Sequence, residues 1–150
     1  MSLLAVDLGL STGLALYGSD GRLRWYRSKN FGSAARLRRG AAGLLNELPG
    51  LAWLVLEGGG SLADIWEREA ERRQVEALRV SAEVWRGQLL YARQQRSGAL
   101  AKRAADSLAR QVIDWAGAPK PTSLRHDTAE AILVGLWGVL RVGWLTELPF

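Results

Sequence analysis

The sequence predicts an α/β fold: a five-stranded mixed sheet, three antiparallel strands followed by parallel ones, flanked by helices on both faces. Three observations predict it. Near-continuous apolar runs at Leu3–Val6 and Leu51–Leu56 have the pattern of strands buried on both sides. Gly18-Ser19-Asp20-Gly21 carries strong hairpin chemistry between two further strand-like segments. From residue 51 onward, strand-like runs alternate with stretches of helical spacing, which calls for parallel strands joined by crossover helices. The chain of 150 residues suits one domain, 1–150, long enough to bury roughly two-thirds of its unfolded surface.

Taken in order, Leu3–Asp7 is expected as the first strand, Gly13–Tyr17 as the second and Arg22–Ser28 as the third. Ala34–Leu48 reads as a helix stopped by Pro49-Gly50, and Leu51–Leu56 as the fourth strand. After Gly58-Gly59-Gly60, Ser61 stands where it can cap a charged helix over Leu62–Glu76. Ala77–Val80 is the fifth strand, followed by a short helix over Glu83–Leu90 and a polar, basic loop over Ala92–Ser97. Leu100, Ala104, Leu108, Val112 and Trp115 recur at helical spacing within a helix over Ala99–Trp115. Gly117-Ala118-Pro119-Lys120-Pro121 is a linker, and the last helix starts near Asp127. This order of elements is that of an α/β sandwich of the ribonuclease H type.

The formal charge of +5 and isoelectric point near 10.2 favour polyanionic partners. The absence of cysteine excludes disulfides, thiolate zinc sites and thiol catalysis, and it fits a cytoplasmic protein. No membrane segment is expected: the N-terminal start lacks basic residues, and the run from Ala131 to Leu145 is too short and is broken by Arg141. That run reads as a core helix. Of the seven tryptophans, Trp115, Trp137 and Trp144 have apolar surroundings, whereas Trp66 and Trp85 lie among charges. Stacking on bases competes with burial for the last two, and burial is the first expectation.

Four carboxylates stand at the ends of apolar segments far apart in the chain. Asp7 ends the first strand, Glu57 ends the fourth, and Asp127 and Glu130 open the last helix. All four can therefore meet at one edge of one sheet. A carboxylate at the end of a buried strand is costly without a partner, and several together repel unless a cation lies between them. Oxygen-only clusters suit Mg²⁺, which in pairs about 4 Å apart drives in-line attack on phosphodiesters. The residues thus point to a Mg²⁺-dependent nuclease.

The same residues resemble the RuvC-type Holliday-junction resolvases of the ribonuclease H-like superfamily. Ala5-Val6-Asp7-Leu8-Gly9-Leu10-Ser11-Thr12-Gly13 is similar to their first-strand motif, and Leu54-Val55-Leu56-Glu57 to their fourth strand. Asp127-Thr128-Ala129-Glu130-Ala131 resembles their Asp-Ala-Ala-Asp-Ala element, with His126 beside it. Val80-Ser81-Ala82-Glu83-Val84-Trp85-Arg86 is similar to a segment whose basic residue contacts DNA, here Arg86. Gly98-Ala99-Leu100-Ala101-Lys102 is similar to a Gly-x-x-x-Lys that sets a lysine beside the scissile phosphate. The resemblance implies a crossover junction endodeoxyribonuclease of recombination and repair. It implies a homodimer with two active sites that makes paired nicks in branched DNA, the four-way junction, leaving 5′-phosphate and 3′-hydroxyl ends. It also implies two Mg²⁺ ions per site (Mn²⁺ as substitute) on Asp7, Glu57, Asp127 and Glu130, with Lys102 stabilising charge on the phosphate. The stretch from Glu57 to Ser81 is shorter than in the bacterial resolvases, where it supplies dimerisation and a junction-stacking aromatic; Trp66 is the aromatic available here.

Each of these residues also has a plainer reading. Asp7 can serve as a turn residue and Glu57 as a solvated strand end. Asp127 and Glu130 have the spacing of an N-cap and its capping box. His126 can be a cap neighbour, a ligand or a proton shuttle. Lys102 can pair with Asp106 at i, i+4. The densest basic stretch, Arg22, Arg24, Arg27, Lys29, Arg36, Arg38 and Arg39 with no acid among them, is either a phosphate-tracking strip or a charged edge strand that resists aggregation. Arg93 and Arg96, in the loop before Lys102, read as backbone-binding residues.

Three other enzyme or binding classes share parts of the pattern. A YqgF-like nuclease acting on ribosomal RNA precursor has the Asp-x-Gly opening and the C-terminal acids, although Glu57 fits the resolvases better. A non-catalytic branched-DNA-binding protein has no need of acids at all four positions. A sugar-kinase or actin-like module requires a second domain and a second phosphate loop.

Overall fold

The computed structural model describes residues 1–150. Strands β1 (Ser2–Asp7), β2 (Ser11–Gly18), β3 (Leu23–Asn30), β4 (Leu51–Glu57) and β5 (Glu76–Val80) form one sheet in the order β3-β2-β1-β4-β5. β1 pairs antiparallel with β2, and β2 with β3; β4 lies parallel to both β1 and β5. This is the mixed sheet expected. The central strand shows why. Leu3, Leu4, Ala5 and Val6 are all fully buried, with Leu3 and Ala5 in one apolar cluster and Leu4 and Val6 in the other. Alternate residues of a strand face opposite ways, so a continuous apolar run requires helices on both sides.

Helices α1 (Ala34–Asn46) and α2 (Gly60–Arg72) cover one face. Helices α3 (Ala82–Leu89), α4 (Gly98–Ala116) and α5 (His126–Arg141) lie on the other. α5 is the centre of its layer, buried without interruption from Thr128 to Val139. Full burial of Ile132, Leu133, Val134 and Leu136 contributes roughly 1.5–3 kcal/mol each as an upper estimate. Two glycines let this helix lie close to the sheet. A methyl at Gly135 would stand 2.2 Å from the Tyr17 ring, and one at Gly13 would stand 1.9 Å from the Asp127 carbonyl oxygen. Tyr17, fully buried, donates its hydroxyl to the Ile132 carbonyl at 2.5 Å, and burial holds its acidity far below that of an exposed phenol.

Several boundaries differ from expectation. The second helix ends at Arg72 because Gln74 takes a left-handed backbone (φ 57), and Glu76 already belongs to β5. The Glu- and Arg-rich run has helical propensity throughout, so this stop has no compositional sign. Gly59, not Ser61, is the N-cap of α2. The first helix stops at Asn46 rather than Leu48, and the last at Arg141, after which the chain turns and Trp144 packs half-buried against the core. The expected loop at Ala92–Ser97 contains a 3₁₀ turn over Ala92–Gln95, and the Ser97 hydroxyl caps α4 by accepting from the Leu100 amide at 3.1 Å. Trp66 and Trp85 are both 0% exposed, so neither is available to stack on a base. No helix is long and apolar enough to cross a membrane.

Candidate active site

Asp7 and Glu57 are the last residues of β1 and β4, and they are register partners in that parallel pair. They share the strand parity of Ala5 and Val55, both of which lie in the α5-side cluster, so both carboxylates belong to the face that carries α5. On the other side of β1, Asp7 pairs with Gly13 of β2. There the first turn of α5 rests directly on the glycine backbone, which places Asp127 and Glu130 beside the strand ends. The four acids therefore come from β1, β4 and the start of α5 to one edge of the sheet.

Their surroundings differ. Asp127 is partly buried and accepts from the hydroxyls of Ser28 at 2.8 Å and Ser11 at 3.2 Å. It is not the helix cap: the N-cap position is Arg125, with no side-chain cap bond, so the capping-box reading of Asp127 and Glu130 does not hold. Glu130, 5% exposed at its side chain, accepts from Arg86 Nη2 at 2.5 Å and lies 3.0 Å from His126 Nε2, both on the same oxygen, Oε1. Its other oxygen, Oε2, is buried without a hydrogen-bond partner, as is Arg86 Nε. Asp7 is affected most. Burial, then a hydrogen bond with Glu57, then the charges of Glu57, Glu130 and Asp127 raise its pKa from 3.8 to about 9. At neutral pH it holds a proton that these neighbours will not let it release.

As they stand, no three of the chain's Asp, Glu and His side chains close around a single point that would hold an ion. Arg86 and His126 engage Glu130, the two serines engage Asp127, and Asp7 leans on Glu57. The donors nonetheless fit a hard dication. All are oxygens, burial and the neighbouring acids make the ionised form of Asp7 costly until positive charge is added, and Glu130 keeps one buried oxygen free. Arg86 is the chain's own partial substitute for that charge.

The remaining predicted residues fall into two groups. His126, on the first turn of α5, and Lys102, on α4, line one groove of about 290 Å³ together with Arg103, Asp106, Leu124 and Ala129. Asp106 pairs with Arg110 at 2.8 Å instead of Lys102, and Lys102 makes no ion pair. Arg93 and Arg96 are exposed on and just after the 3₁₀ turn, Arg93 lying 5.0 Å over the Tyr91 ring, and neither touches the acids. Ser11 and Ser28 are the site residues that sequence reasoning misses. They become visible only once the β2–β3 register pairs Ser28 with Gly13.

No protein-family model matches the chain, and no curated protein does. Solved structures do. "T. thermophilus RuvC in complex with Holliday junction substrate" superposes with a TM-score of 0.63 over 96% of this chain and 97% of that one, at 15% identity. The yeast mitochondrial Holliday junction resolvase Ydc2 superposes with a TM-score of 0.52 over 95% of this chain and 81% of that one, at 12% identity. At such identities the likeness establishes the fold: the chain has the ribonuclease H-like architecture of these two resolvases.

Proposed function

We propose that the chain is a Mg²⁺-dependent endonuclease that resolves four-way DNA junctions by paired, symmetric nicks, acting as a homodimer in which each copy supplies one acidic site. The observation that carries this reading is the mutual stress of the acids at the sheet edge, which lifts Asp7 to about 9. A group so placed is poorly suited to structure and well suited to sharing a cation. The fold held in common with two resolvases, one of them in complex with a Holliday junction, supports branched DNA as the substrate class.

Asp7, Glu57, Asp127 and Glu130 would hold the ions, with Ser11 and Ser28 orienting Asp127 from behind. Bound there, two Mg²⁺ ions would supply activation of a water and charge stabilisation on the leaving 3′-oxygen. Lys102, free of any ion pair and lining the groove beside His126, would stabilise charge on the scissile phosphate. His126 borders the same groove and moves a proton to or from the reacting oxygens. Arg86, released from Glu130, contacts the DNA backbone.

The test is incubation of labelled substrates with and without Mg²⁺: a four-way junction, a linear duplex, a flap and single-stranded RNA. The expected result is two symmetric cuts in the junction only, dependent on Mg²⁺, and none with Asp7→Asn, which should still bind the junction. Normal cutting by Asp7→Asn, or cutting of the RNA alone, overturns the reading.

A further inference from the structure

β3 is an edge strand, and its end lies at the acidic site, where Ser28 donates to Asp127. The residues on its opposite face are cationic. Arg27 pairs in register with Leu14 and Lys29 with Thr12; Leu14 and Leu16, the partner of Trp25, belong to the α1-side cluster. Trp25, Arg27 and Lys29 therefore share one face, and Phe31 follows them at the same edge. Arg27 lies 4.1 Å over the Trp25 ring and Lys29 5.4 Å over the Phe31 ring. The first turns of α1 adjoin them: Phe31 fills the space beside Gly40, and the Arg36 guanidinium lies by Gly32. Arg36 and Arg39, three apart, share the outward face of that helix, with Arg38 on its flank.

Within its basic stretch, what sets this group apart is that its charge is unmet. Arg27, Lys29, Arg36, Arg38 and Arg39 are all exposed, and none makes an ion pair. Arg24 and Arg22 of the same basic stretch are engaged, Arg24 by Asp20 at 2.9 Å and Arg22 by the Trp115 carbonyl at 2.8 Å. An edge strand guarded only against aggregation needs charge, but it does not need guanidinium and ammonium groups held over aromatic rings. Held that way, Arg27 keeps its planar edge free for bidentate contact with a phosphate. Alternate residues of a strand stand about 6.6–6.8 Å apart, a spacing that lets Arg27 and Lys29 meet neighbouring phosphates of one DNA strand.

We infer that Arg27, Lys29, Arg36 and Arg39 form a second, non-catalytic DNA surface that grips the sugar–phosphate backbone of a duplex arm leading away from the cut. The partner rests on the proposed junction cleavage; the surface itself is read from the unpaired cations.

The full chain is titrated against a labelled junction and a linear duplex in EDTA, with affinity measured by fluorescence anisotropy from 50 to 300 mM KCl. R27Q/K29Q/R36Q/R39Q should flatten the slope of log affinity against log salt by about two to four on both DNAs, since each phosphate contact contributes about 0.9. It should weaken binding at 100 mM KCl by at least tenfold and leave the Mg²⁺-dependent cleavage rate at saturating protein within about threefold of the parent. R22Q/R24Q should leave the slope unchanged. An unchanged slope in the fourfold variant, or an equal loss in R22Q/R24Q, overturns the inference. Failure of the parent chain to cut a junction in Mg²⁺ sinks the cleavage reading instead, and the slopes in EDTA still decide the strip.

Discussion

Asp7 keeps its proton into the neutral range because burial and three neighbouring acids penalise its charge, and a measurable pH response follows. Its pKa is raised on folding from 3.8 to about 9, so the folded chain binds this proton more tightly than the unfolded chain. By linkage, the metal-free protein loses stability as pH rises from about 4 to about 9. Asp7→Asn removes that slope and should raise the melting temperature in EDTA at pH 8 by several degrees, read by calorimetry at pH 5 and pH 8. Equal slopes in the two proteins would contradict the shift. Glu130 leads to a second prediction. Removing its cation leaves a buried charge poorly met, so Arg86→Gln should destabilise the metal-free protein by about 1–3 kcal/mol, less than for a fully buried pair because Arg86 is 30% exposed. Mg²⁺ should restore more stability to this variant than to the parent; denaturant titration with and without the ion compares them. At this scale the four acids are legible in the sequence, since each ends or opens an apolar run. The Arg86–Glu130 pair spans 44 positions and depends on how α3 packs on α5, which no local pattern records.

α5 is the element that turns a sheet into a site. Its first turn brings Asp127 and Glu130 to the strand ends only because residue 13 has no side chain. Gly13→Ala sets a methyl against a backbone carbonyl that cannot move aside, so it should displace the helix start and abolish the proposed cleavage. Gly135→Ala meets the Tyr17 ring two turns further on, and overpacking there should cost about 1–3 kcal/mol while sparing most of the activity. Thermal melts and junction cleavage of the two variants distinguish a site defect from a core defect. The helices were foreseeable from their spacing, but their ends were less so. α2 ends where Gln74 adopts a left-handed backbone in a charged run with no Gly or Pro to mark it, and β5 is a short edge strand whose first residue, Glu76, has helical preference.

At the scale of the whole molecule, the topology follows from patterns that extend over the chain. An antiparallel hairpin pair, then parallel strands with crossover helices, leaves few arrangements, and β3-β2-β1-β4-β5 is the one adopted. The excess positive charge is legible as a number; its distribution is not. Only the register of β3 and the packing of α1 separate the engaged Arg22 and Arg24 from the free Arg27 and Lys29. The proposed cleavage depends on acids remote in sequence accepting divalent ions together. Isothermal titration of Mg²⁺ and Mn²⁺ into the metal-free chain at pH 8 tests this most directly. The expected result is two ions bound per chain, with proton release from Asp7 visible as a buffer-dependent heat, and loss of binding in Asp7→Asn. No saturable binding, or the same binding in Asp7→Asn as in the parent, would contradict it.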